Sequence, residues 1–171
     1  MRDEAFLRSE IRWLVERARV ALALPESAAV GCTDAQIAEI LAAQQISALP
    51  APLDELLRVA GVHARGTVLG ELLPASGAGW DVMLYAKEHA RKAAAISGSD
   101  ETFGPDRVVF VSDPGGNVLW VGTSEDDSAV WALTERTLIP PIAFARLACW
   151  LEQEVVTAEL GWPARKPRAV G

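Results

Sequence analysis

The chain has 171 residues, half of them apolar and 23% charged, which is the composition of one globular domain rather than of a disordered chain. Its net charge of −7 argues against general binding to nucleic acid or anionic membranes, both of which need a basic surface. The longest apolar run, residues 20–24, is far too short to span a bilayer.

Met1-Arg2-Asp3-Glu4 lacks the charged-then-apolar layout of a secretion signal, so a cytoplasmic location is expected. Residues 1–24 read as a helix. Leu7, Ile11, Leu14, Val15 and Ala18 follow helical spacing, and Phe6, Trp13 and Val20 form a neighbouring stripe. Such a broad apolar face must pack on the rest of the domain or on a second chain. Pro25 stops the helix. Thr33 opens a second one, with Gln36 three residues on to complete a capping box and Ile37, Ile40 and Leu41 on its apolar face.

Beyond Pro50, the residues Leu53, Leu56, Leu57 and Ala60 mark a third helix, which Gly61 is placed to end in a left-handed conformation. Residues 62–79 are Gly-rich and predict at most one short strand. The next helix starts at Asp81, carries Val82, Met83, Tyr85, Ala86, His89 and Ala90, and ends near Gly98.

Three Val- and Trp-rich segments follow, residues 107–112, 117–122 and 129–134, separated by turn residues in the pattern of an antiparallel meander. Asp113-Pro114-Gly115-Gly116 predicts a tight reversal, because Pro114 presets φ and the glycines supply positive φ. Alternation puts Val108 and Phe110 on one face and Val109 and Val111 on the other. Both sets are apolar, so the sheet is expected to be covered on both sides. After Ile139-Pro140-Pro141, the spacing of Phe144, Leu147, Ala148, Leu151 and Val155 predicts a closing helix that stops at Gly161. Residues 162–171 form a basic tail, expected to fray. The fold class is therefore α+β, with N-terminal helices, a meander of at least three strands and a closing helix.

Motifs for chemistry are few. His63 and His89 stand in no ligand spacing and read as two partly exposed histidines. Gly77-Ala78-Gly79 reads as a flexible turn, and Ser76 lacks the glycine of a nucleophile elbow, with Pro74 in its place. Cys32 and Cys149 read as reduced, buried thiols, with a long-range disulfide as the alternative. No catalytic residue, cofactor or metal is expected. Of the six tryptophans, Trp120, Trp131 and Trp150 fit the core, while Trp80 and Trp162 are surface candidates.

Charge is the unusual pattern. Residues 97–128 hold seven acids (Asp100, Glu101, Asp106, Asp113, Glu125, Asp126 and Asp127) against one base, Arg107. If 107–112 and 117–122 pair as a hairpin, six of those acids gather at the sheet end opposite the turn. A solvated set of turn residues is the plain reading. The sharper one is a surface that steers a basic partner, with Trp80 added to the six acids as a contact.

The order of features resembles the SUKH superfamily, which joins bacterial toxin-immunity proteins with homologues of a yeast regulator of cell-wall synthesis. It is carried by the capped helix of Gly31-Cys32-Thr33-Asp34-Ala35-Gln36-Ile37, the Leu49-Pro50 junction, the helix ending at Gly61, the meander, and Phe144 with Trp150-Leu151. Leu56-Leu57 and Ala60-Gly61 stand where many members have an aromatic and an Asn-Gly, and Ser128-Ala129-Val130 stands where they often have Pro-Pro-Val. The resemblance implies a non-enzymatic binding domain over residues 32–160, with the helix of 1–24 as an extension. It implies an immunity protein whose partner is a toxin domain such as a basic nuclease; the acidic balance of the chain argues against direct nucleic acid or membrane contact. The alternative is a regulatory or scaffold module that self-associates through the N-terminal helix.

Overall fold

Asp3 starts the first helix by accepting a hydrogen bond from the amide of Ala5 through its carboxylate. The helix, α1 (Glu4–Ala21), buries Leu7, Ile11, Leu14, Val15 and Ala18. That face packs on α3 (Ala51–Ala60) and on the last helix, α6 (Leu147–Glu159), so α1 shares the domain's core. Each large aliphatic side chain buried in this way contributes about 1.5–3 kcal/mol. The neighbouring stripe of Phe6, Trp13 and Val20 stays exposed. The computed structural model describes residues 3–74, 76–96, 103–113, 116–123, 129–133 and 142–161.

The capping box forms as its sequence predicts. Thr33 Oγ1 accepts from the Gln36 amide at 3.2 Å and Gln36 Oε1 accepts from the Thr33 amide at 2.9 Å, starting α2 (Asp34–Gln44). Gly61 does end α3, but with φ −70°, not in the left-handed region. Space, not φ, demands glycine there, since a Cβ would lie 2.3 Å from both Cys32 Sγ and the Leu57 carbonyl oxygen. Between Gly61 and the next long helix the chain forms a short helix that the sequence reading missed, α4 (Val68–Leu72), capped by Thr67 Oγ1. The Gly77-Ala78 segment is an edge strand, β1 (Gly77–Ala78), rather than a flexible turn. Gly79 follows at φ 100° and α5 (Trp80–Ile96) begins.

The meander is present. Strands β2 (Arg107–Ser112), β3 (Val118–Gly122), β4 (Val130–Leu133) and β5 (Ile142–Phe144) follow β1 in a five-stranded antiparallel sheet of order β1-β2-β3-β4-β5. The β2–β3 reversal is closed by the Asp113 amide donating to the Asn117 carbonyl, with Gly116 at φ 78°. Pro114 and Gly115 lie outside the described residues. Phe144 belongs to β5, paired with Val130, and not to the closing helix. Its spacing to Leu147 and Leu151 suits a helix, which is why so short a strand escaped the pattern.

One register detail alters the faces. Val109 pairs with Trp120 and Val111 with Leu119, so Phe110 is an extra residue in a β-bulge. Val111 therefore joins Val108 and Phe110 in the larger core with α1, α3 and α6, contrary to simple alternation. The other face packs Val109, Val118, Trp120 and Leu133 against Val82, Ala86 and Ala90 of α5. Both faces are covered, as the two apolar sets predict. Phe110 meets Trp150 edge-on on one side and Phe103 meets Trp120 edge-on on the other, each at 5.1 Å between ring centroids.

Candidate functional site

The hairpin register decides which segments meet at each end of the sheet. At one end Arg107 pairs with Gly122, and the Thr123 amide donates to the Asp106 carbonyl at 2.9 Å. The segments that enter β2 and leave β3 therefore run from adjacent points. Asp106 is exposed there. Asp100, Glu101, Glu125, Asp126 and Asp127 lie outside the described residues. Trp80 is placed elsewhere, opening α5 just after β1, whose partners on β2 are Val111 and Ser112 at the turn end. It is half-buried, and its indole N–H donates to Glu39 Oε2 at 3.1 Å. Trp162 is outside the described residues. Trp13, counted with the helix stripe in the sequence, is the exposed tryptophan on α1.

At the turn end of the sheet lies a cavity of about 490 Å³, within the size range of small-molecule sites, and sequence reasoning did not predict it. Its walls are mostly apolar. One wall is α5, which offers Tyr85, Glu88, His89 and Lys92 at helical i, i+3, i+4, i+7 spacing. The other is made by Ser112 and Asp113 at the end of β2 and by Ser76 and Gly77 entering β1, with His63 completing it. The bulge at Phe110 contributes here, because the shifted register turns Ser112 toward α5, where its Oγ lies 2.6 Å from His89 Nδ1.

Both histidines of the chain thus reach one cavity, and each is anchored by a hydrogen bond. His63 Nε2 lies 3.0 Å from the Leu73 carbonyl, which only accepts, so that nitrogen carries the proton. Neither histidine belongs to a local motif. The signal that unites them is the pairing of Gly77 with Ser112 across a long stretch of sequence, which no local spacing discloses. Among the described residues, no group of His, Cys, Asp and Glu side chains gathers to hold a metal ion.

The remaining buried reactive groups serve the fold. Cys32 and Cys149 are free thiols, Cys32 buried and Cys149 half-buried. Burial pushes the Cys32 thiol up to about 11, against a smaller lowering by the Trp80 backbone amide, so it stays protonated and poorly nucleophilic. Lys87 is 2% exposed and donates to the carbonyls of Gln44 (2.5 Å) and Gly104 (2.6 Å). No helix among the described residues is long and apolar enough to cross a membrane. No protein-family model matches the sequence, and no curated protein is detectably similar to it.

Proposed function

We propose that this is a protein-binding domain of SUKH type, acting in the cytoplasm as an immunity protein that occludes a basic toxin domain at the sheet end where β2 begins and β3 ends. The observation that supports this reading is the register of Arg107 with Gly122, sealed by the Thr123–Asp106 backbone bond. It starts two acid-rich segments from neighbouring points, and a concentrated negative field steers and accelerates docking of a cationic partner. The test is whether a toxin gene adjoins this one and, where it does, binding to that toxin domain with wild type and with D106K combined with E125K, D126K and D127K. Loss of association rate at low salt, with dissociation little changed, is expected. Unchanged kinetics at low salt would remove the proposal.

The exposed stripe of α1 favours a second reading, a scaffold module that self-associates. Phe6, Trp13 and Val20 recur every seven residues on a helix whose other apolar face is already buried. Light scattering decides it: a dimer that W13E converts to monomer supports this reading, and a monomeric wild type ends it.

A further inference from the structure

The cavity lies at the turn end of the sheet, away from the end where β2 begins and β3 ends. Its acids are engaged by near neighbours. Glu88 pairs with Lys92 at 2.7 Å, while Asp113 accepts from the Asn117 amide through Oδ1 and from Asn117 Nδ2 through Oδ2. Its donors are less fully used. His89 has Nδ1 on Ser112, and Nε2 has no partner among the described residues. The Lys92 ammonium spends one of its three hydrogens on Glu88. His89 and Lys92, three residues apart on α5, are neighbours on one helical face, and Tyr85 lies one turn before His89.

We propose that this cavity binds a small organic carboxylate with an apolar or aromatic body. The carboxylate is held by His89 Nε2–H and Lys92, and the body lies along Tyr85 and the apolar wall formed by Pro74 and Gly77. Ser112 is the positioning residue: when its hydroxyl donates to Nδ1, the imidazole proton resides on Nε2 and faces the anion. Gly77 lets β1 pack closely on α5 behind the cavity, since a Cβ there would come within 2.7 Å of Val82 Cγ2. Mostly apolar walls with a few convergent polar groups are the usual build of a small-molecule site.

Benzoate and its uncharged analogue benzamide are the probes, followed by amide chemical shifts of the whole chain. Benzoate should shift Ser76, Gly77, His89, Ser112 and Asp113 saturably, and benzamide should bind about tenfold more weakly, as expected for losing a charge-assisted contact. H89L should weaken benzoate about tenfold. K92M, at an exposed position, should weaken benzoate severalfold and leave benzamide unaltered. The inference is overturned by the absence of saturable shifts at these residues, by benzamide binding as tightly as benzoate, or by wild-type benzoate affinity in both variants.

Discussion

Gln44 completes a rung of the sheet with Val109. Its Nε2 donates to the Val109 carbonyl at 2.8 Å, and the Val109 amide donates back to Gln44 Oε1 at 3.2 Å. The strand β1 pairs with β2 only at Val111 and Ser112, so the carboxamide stands in for a strand beyond β1's end. The same Nε2 also reaches the Met83 carbonyl at 2.8 Å, tying α2, α5 and β2 together from a side chain with 0% exposure.

Q44L keeps the volume and removes every one of these bonds. A buried backbone group left without its partner costs about 1–3 kcal/mol, so a loss of about 3 kcal/mol in urea unfolding is expected. Amide exchange at Val109 should quicken more than at its neighbours on β3. A loss under about 0.5 kcal/mol would show that the rung is dispensable.

Lys87 closes the other end of the same helix contact, donating to the carbonyl of Gln44, the last residue of α2. Burial, assisted by Arg91 and opposed by Asp106, pulls its pKa from the ordinary 10.5 to about 8. Between those values the unfolded chain holds a proton that the folded chain has released, so folding is favoured progressively as pH rises. The neutral amine still has two N–H groups for its two carbonyl partners. K87M should cost about 2 kcal/mol at pH 9.5, where the wild type is neutral, and less at pH 7, where burial of the charge already weakens it. Equal losses at the two pH values would contradict the assignment.

The five longer helices and the hairpin were legible because their determinants are local, whereas the short α4, too brief to show a period, was not. Thr33 with Gln36, the apolar spacing in α1, and Asp113 with Gly116 each act within a few residues. Apart from α4, what escaped reading depends on partners distant in sequence. Nothing in Ile142–Phe144 announces a strand until Val130 is placed beside Phe144. The exchange of Val111 between faces follows from the bulge at Phe110, which is a property of the pairing and not of the strand's composition. The sequence predicts a conformational role for Gly61, yet its role is to let Cys32 and Leu57 approach. The cavity is the extreme case. Its two histidines looked unremarkable one at a time, and only the β1–β2 contact and the face of α5 bring them together.

Glu55 holds α1 to α3, and the consequence is testable with acid. The residue is 2% exposed and accepts from Arg12 Nε and from Arg8 Nη1, the latter at 3.1 Å. Burial alone would raise its pKa, but the hydrogen bonds from Arg12 and Arg8 together outweigh it and hold the carboxyl below its ordinary value. The folded state therefore binds this proton less readily than the unfolded one. The stabilisation is fully present above the unfolded value, about 4.3, and is lost as pH falls through the lower folded value. E55Q should cost about 2 kcal/mol at pH 7 and flatten the decline in stability below about pH 4. Exchange of the α1 amides should rise in that variant ahead of those in β2 and β3, since the ion pairs orient α1 while its apolar face supplies the adhesion. If E55Q instead left both the acid profile and α1 exchange unchanged, then Leu7, Ile11 and Leu14 would suffice to fix the helix, and the outward setting of Phe6, Trp13 and Val20 would rest on packing alone.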